Sequence, residues 1–213
     1  MIKPLIVRTL HDKFKALNAV NSEFVSNIQL KTYNTDILWV YSNDVPDEDV
    51  LRLIESKKNI VRKNIGRDYG AFYQAFQTYK NNYSHFIFLH DDVIFKNIDW
   101  LKEFINAFEN GIEVCSPHVC TNFNQQKVPR GAFWAASTRL LNDISWAEPT
   151  NVEMAYEQEM NLLPGYMKKN NIKIAQLGNG TNLMGTKEYN YTNGFNESAG
   201  RHEPENGIYT YDI

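Results

Sequence analysis

The 213-residue sequence has two cysteines, no long apolar run and no surplus of either charge. Cys115 and Cys120 are too few for a disulfide framework, lack the spacing of a redox or zinc pair, and have no paired histidines nearby. Both read as plain buried thiols. No stretch approaches the ~18 apolar residues that cross a bilayer, so no membrane span is expected. With 22 Lys+Arg against 25 Asp+Glu, the chain sets up no broad positive field, and nucleic acid is not expected as a partner. The opening stretch, MIKPLIVRTLHDK, puts charges directly after a short apolar run, which fits a first strand better than a signal peptide. A soluble, cytoplasmic protein is expected, and the sequons at Asn190 and Asn196 are then chance matches. Neither an internal repeat nor a low-complexity linker is evident.

What the chain does have is apolar and aromatic mass: 43% hydrophobic and 13% aromatic residues. A chain of this length buries roughly 70% of the surface its unfolded form exposes, so a sizeable core follows. Up to about residue 110, strand patterns alternate with helical ones, which predicts right-handed crossovers and an α/β fold with a mostly parallel central sheet flanked by helices. Leu5–Val7, Asp36–Tyr41, Asn59–Arg62 and His85–Leu89 read as strands. The last is apolar on both alternating faces, as a strand covered on both sides should be. Val50, Leu51 and Ile54 recur at helical spacing, as do Phe72, Ala75, Phe76 and Tyr79, and again Leu101, Phe104, Ile105 and Phe108.

Beyond residue 112 the rhythm loosens. Val114–Ser116, Gly131–Ala136 and Ile172–Ala175 are short strand candidates, and Asn151 to about Lys169 reads as a helix that Pro164-Gly165 would bend or break. From Gly185 the composition, rich in Asn, Gly, Tyr and Thr, suggests a loop or lid. One domain over 1–213 is the simplest organisation, with residues 1–110 as one half and 111–213, including an irregular C-terminal arm, as the other.

Two places carry chemistry. His90-Asp91-Asp92 ends the hydrophobic fourth strand, and open parallel sheets place their ligands outside the carboxyl ends of strands. Adjacent carboxylates repel unless a cation lies between or beside them, and a divalent ion that prefers oxygen meets that need. The competing reading is a turn with solvated aspartates. The second place is Gly66-Arg67-Asp68-Tyr69-Gly70, where glycines permit close backbone approach, a helix start favours phosphate, Arg67 can grip an oxyanion in two places and Asp68 can accept from sugar hydroxyls. Its competing reading is a capped loop with a surface arginine.

Val61 through Phe95, VRKNIGRDYGAFYQAFQTYKNNYSHFIFLHDDVIF, resembles the donor-binding segment of nucleotide-sugar glycosyltransferases of the GT-A, Rossmann-like fold. An Asn/Gly/Arg loop, a helix and a buried strand ending in an Asp-X-Asp type motif follow in that order. More narrowly, the compact chain resembles the small glycosyltransferases encoded by chlorella viruses, which decorate a capsid glycoprotein. That resemblance implies cytoplasm of the infected host cell as the location. It also implies Mn2+ or Mg2+ as cofactor, with Asp92 as the metal ligand that bridges to the donor diphosphate. His90 stands where the family has its first acidic residue, Asp91 shares that work, and His202 in the C-terminal arm is a further candidate ligand.

By the same resemblance, Thr9 and Asn43 or Asp44 would read the nucleoside, Arg67 or Arg62 would neutralise phosphate, and Asp68 would bind the donor sugar. The implied activity moves a hexose or deoxyhexose from a UDP-sugar, UDP-glucose or a related deoxyhexose donor, to a glycan or glycoprotein acceptor. Glu157 and Glu159 are the candidates for an acceptor base. Neither belongs to the Glu-Asp pair usual in inverting relatives, which favours retention. Trp134 is a candidate to stack on an acceptor sugar, against the ordinary reading of a core aromatic. A nucleotidyltransferase and a non-catalytic sugar-binding module are the other functions this sequence admits.

Overall fold

The computed structural model describes residues 2–91, 93–95, 98–122, 124, 126–129, 133–177, 184–185, 201–205 and 208–211; for residue 94 and the segments after 177 only the backbone is described. The first half runs β1 (Pro4–Leu10), α1 (Lys13–Asn21), α2 (Asn27–Thr32), β2 (Asp36–Ser42), α3 (Glu48–Ile54), β3 (Asn59–Arg62), α4 (Arg67–Tyr79), β4 (His85–Leu89), β5 (Ile94–Phe95) and α5 (Leu101–Glu109). The second half comprises β6 (Val114–Ser116), β7 (Val119–Thr121), β8 (Lys127–Pro129), β9 (Phe133–Ser137), α6 (Thr138–Asp143), α7 (Val152–Glu157), α8 (Leu163–Lys169), β10 (Ile174–Gln176), β11 (Met184–Gly185), β12 (Arg201–Glu205) and β13 (Ile208–Tyr211).

Nine strands form one sheet in the order β12-β13-β10-β6-β9-β4-β1-β2-β3, so strands from both halves of the chain share it. β4, β1, β2 and β3 are mutually parallel, and β10 is parallel to β6. β9 runs antiparallel between β4 and β6. The fold is therefore α/β with a mostly parallel centre. All seven residues of β1 are buried, as expected for a strand with helices over both faces.

The alternation of β1 splits the core in two. Ile6 and Leu10 face one cluster with Ala16, Trp100, Leu101 and Phe104, under α1 and α5. Leu5 and Val7 face the other, with Phe72, Phe76, Phe88 and Trp146, under α4 and the helices of the second half. Period-two alternation thus decides which β1 side chains meet which helix layer.

Two features depart from the reading of the sequence. The stretch from 152 to 169 is not broken at Pro164-Gly165: α7 passes through one π-helical turn, Gln158–Leu162, into α8, and that widened turn falls just ahead of Pro164, the residue that lacks an N–H for the regular helical bond. Within the C-terminal arm, read as loop from Gly185, residues 201–205 and 208–211 are strands that pair with each other and, through β13, with β10. Their partner is a distant strand, so local periodicity carries no sign of it.

Helices α1 and α2, which have no counterpart in the pattern analysis, are each defined by a cap: Asp12 accepts from the amides of Phe14 and Lys15, and Ser26 from that of Gln29. No helix among the described residues is long and apolar enough to cross a membrane.

Candidate active site at the strand switch point

From β1 the chain steps outward to β2 and β3, then returns to add β4 on the other side of β1. The direction of winding reverses there, which opens a crevice between the carboxyl ends of β1 and β4. Thr9, near the end of β1, and His11, just beyond it, meet His90 and Asp91, just beyond β4. Asp68 arrives from the first turn of α4.

Asp68 is the hub. It accepts a short hydrogen bond from the Thr9 hydroxyl and one from His11 Nε2 at 2.7 Å, and its second oxygen lies 3.5 Å from His90 Nε2. Its side chain is 20% exposed. Burial alone would raise the Asp68 pKa, but the charge of His90, with the charge and hydrogen bond of His11 and the bond from Thr9, holds the carboxyl well below the usual range. His11 is the complement. Burial works against its charge, yet the Asp68 hydrogen bond, the charges of Asp68 and Asp91 and the Ser42 carbonyl at 3.2 Å together raise its pKa above 6.5. With an acceptor facing each ring nitrogen, the imidazolium form is the one this pocket stabilises.

His11 also donates its backbone N–H to Asp91 Oδ2 at 2.9 Å. Asn43 Nδ2 donates to the His11 carbonyl at 3.0 Å, and Asn43 Oδ1 accepts from the amide of Val45. Asp44 accepts from the amide of Asn64. Asn43 and Asp44 therefore stitch the end of β2 to β1 and to the 63–66 loop. Thr9, fully buried, orients Asp68 and presents no group to solvent.

The two basic candidates behave differently. Half-buried Arg62 is fully engaged: Nε donates to Gln74 at 2.8 Å, Nη2 to the Ile65 carbonyl at 2.9 Å and Nη1 to Ser42 Oγ at 3.4 Å. It lies across Gly70, where an added Cβ would stand 2.1 Å from the Ile65 carbonyl and 2.9 Å from Arg62 Nη2, so glycine is needed for this close approach. Arg67, by contrast, is exposed at the start of α4, with φ +49°, directly after Gly66 at φ +71°. A non-glycine residue held in the left-handed region is uncommon and tends to mark functional loops.

The remaining candidates separate. Trp134 is 1% exposed and packs against Phe88 at 4.6 Å and Tyr69 at 6.1 Å, so its ring faces belong to the core and not to an open acceptor floor. Glu157 is exposed and bonded by Asn161 within its own helical stretch. Glu159, on the π turn, approaches Tyr69; burial first, then this carboxylate, raises the Tyr69 pKa. Of the two glutamates, Glu159 is thus the one carried to the flank of α4. His202 lies in β12, opposite Thr210, with its backbone alone described.

Asp92 lies outside the described residues. Among the described residues, no group of three or more His, Cys, Asp or Glu side chains is arranged to hold a metal ion. The carboxylates of Asp68 and Asp91 are already tied to His11, so these residues do not by themselves make a metal site.

Sequence reasoning missed His11 and Arg8. A usable signal was present, because β1 and β4 both run out through the same tripeptide, Leu10-His11-Asp12 and Leu89-His90-Asp91. A repeated polar pair at the ends of two strands predicted to be parallel marks both sides of one crevice. Arg8 gave no such signal.

No family model matches the chain, and no curated protein matches it. Solved structures do share its fold. The catalytic domain of Drosophila β1,4-galactosyltransferase 7, in complex with xylobiose, aligns with TM-score 0.53 and 11% identity over 90% of this chain and 73% of that one. A Bacillus anthracis protein described as a candidate glucose-1-phosphate thymidylyltransferase, in complex with a sucrose, gives 0.52 and 12% over 82% and 87%. The 4-diphosphocytidyl-2C-methyl-D-erythritol synthase of Anaerococcus prevotii gives 0.51 and 10% over 88% and 94%. The chain has the fold that GT-A glycosyltransferases share with nucleotidyltransferases. At these identities the likeness is one of fold alone.

Proposed function

We propose that the protein is a glycosyltransferase that binds a nucleoside-diphosphate sugar across the crevice between β1 and β4. The observation that carries this reading is the convergence of Thr9, His11, Asp68, His90 and Asp91, from three separate elements, on the switch point of the sheet. The donor is a UDP-sugar, the group moved is a hexose or deoxyhexose, and the acceptor is a glycan or glycoprotein. A role on a viral capsid glycoprotein, in the infected cell's cytoplasm, rests on the sequence resemblance alone. So does the cofactor, Mn2+ or Mg2+ held by Asp92, with His90 and His202 as further ligands. Such an ion, when bound, supplies positive charge to the diphosphate as the glycosidic bond breaks.

The chain's own residues do the rest. Arg67, exposed and projecting at the start of α4, grips the phosphates as negative charge develops on them, a preorganised electrostatic role. Asp68, fixed by Thr9 and His11, accepts from hydroxyls of the donor sugar. Asn43 and Asp44 shape the nucleoside side of the crevice through the turns they hold, and Arg62 holds the turn that leads into α4 in shape behind it. Glu159 or Asp91 stands as proton acceptor on the acceptor side. Where the donor phosphate takes the proton itself, transfer proceeds with retention and needs no dedicated base.

A nucleotidyltransferase is the second reading, favoured because one of the three structures above bears a thymidylyltransferase name. Incubation with UDP-sugars and Mn2+ separates the possibilities. UDP release supports the glycosyltransferase, pyrophosphate release from UTP and a sugar phosphate supports the second reading, and binding without turnover identifies a sugar-binding module. Replacing Asp92 with Ala abolishes metal-dependent donor binding in a folded protein; unchanged affinity refutes its role.

A further inference from the structure

Arg8 is 1% exposed in an otherwise apolar layer. Its guanidinium lies over the Phe24 ring at 4.4 Å, with the Phe95 ring at 6.0 Å. Nη2 donates to the main-chain carbonyl of Val93 at 3.0 Å and, at 3.4 Å, to that of Asp91. A buried guanidinium costs desolvation, and apolar side chains of similar volume are often as stable or more so at such sites. Packing alone therefore gives weak grounds for an arginine in this position. The two carbonyls it reaches bracket residue 92 in sequence.

We propose that Arg8 is a positioning residue for the acidic turn that follows β4. This deepens the donor-binding reading above and rests on it. β1 and the residue that follows it hold the turn at two points: His11 N–H on the Asp91 carboxylate, and Arg8 on the Asp91 and Val93 carbonyls. The turn is also held from the other side, where Phe95 stacks on Trp100 at 4.9 Å and packs against Phe24 at 5.6 Å. One guanidinium nitrogen, Nη2, supplies both bonds, and the stacking of the guanidinium plane on Phe24 fixes its direction; a lysine ammonium keeps charge and donors but not the planar stack that aims them. The same strand that supplies Thr9 to the crevice and leads into His11 thereby sets the geometry of the turn opposite.

The test compares Arg8→Met, which keeps length and apolar packing, with Arg8→Lys, which keeps charge. Two quantities are read: amide hydrogen exchange at Val93 and Phe95 relative to Ile87 and Leu89 of β4, and the Kd for UDP in buffer containing Mn2+. The Met variant folds, exchanges the turn amides at least tenfold faster with the β4 amides unchanged, and binds UDP at least tenfold more weakly; the Lys variant recovers part of both. A folded Met variant with unchanged turn exchange, or with a Kd within twofold of wild type, overturns the assignment. If the Met variant does not fold, the Lys variant carries the same criteria. Wild-type protein that binds no UDP overturns the donor reading itself, a failure distinct from unchanged turn exchange with UDP binding intact.

Discussion

Asp68→Asn tests the centre of the site. The substitution keeps an oxygen to accept from Thr9 and His11 but removes the charge that both histidines face. Hydrogen bonds to charged groups contribute ~1.5–3 kcal/mol, and with both partners about one-fifth exposed the lower part of that range applies. Thr9 is not stranded by the change, because its hydroxyl has the Leu89 carbonyl at 3.3 Å as a second acceptor. A loss of ~1–2 kcal/mol is expected near pH 6.

The pH dependence of that loss is the stricter check. His11 has a raised pKa, so its stabilisation is complete below 6.5 and disappears as pH rises through the folded-state value. Asp68 has a lowered pKa, so its stabilisation is present above 3.8 and disappears as pH falls through its own folded-state value. The difference between wild type and Asp68→Asn is therefore largest from about pH 4 to 6.5 and shrinks on the alkaline side. Burial is the largest influence on His11 and acts downward, so the His11 pKa falls in the variant. Denaturant unfolding across pH, with NMR titration of the His11 ring, measures both. An unchanged His11 titration would refute the claim that Asp68 holds its proton.

His85 works in the opposite sense, since burial lowers its pKa to about 4 while it stacks on Phe108 at 4.0 Å. Its neutral form is favoured, so stability is lost as pH drops below 6.5, by ~2 kcal/mol between pH 7.5 and 5. His85→Phe keeps the stack and removes that slope; comparing the two proteins at each pH cancels the opposing contribution of His11, and equal slopes would sink the assignment. Gly70→Ala forces a Cβ to 2.1 Å from the Ile65 carbonyl and against Arg62. A destabilisation of ~1–3 kcal/mol with weakened UDP binding is expected, read by thermal melts and titration, and a silent substitution would show that the loop is not tightly built.

The first four strands of the sheet and helices α3, α4 and α5 were legible in the chain itself, because alternation over two residues and recurrence over three to four are local consequences of backbone geometry; α1 and α2 were not. The charged end of β4 and the Gly66–Gly70 segment stood out for a similar reason, since charge and glycine at the edge of an apolar run are anomalies visible without coordinates; that Arg67 to Gly70 already belong to α4 was not visible. Convergence was not. That Asp68 meets His11 across 57 residues, that Arg62 is consumed as scaffold while Arg67 stays exposed, and that Trp134 turns into the core are outcomes of strand order and register. The two strands of the C-terminal arm, too, exist only because β10 offers them an edge. Local pattern reports which face of an element is apolar; only packing decides which polar groups from distant elements are brought within hydrogen-bonding reach.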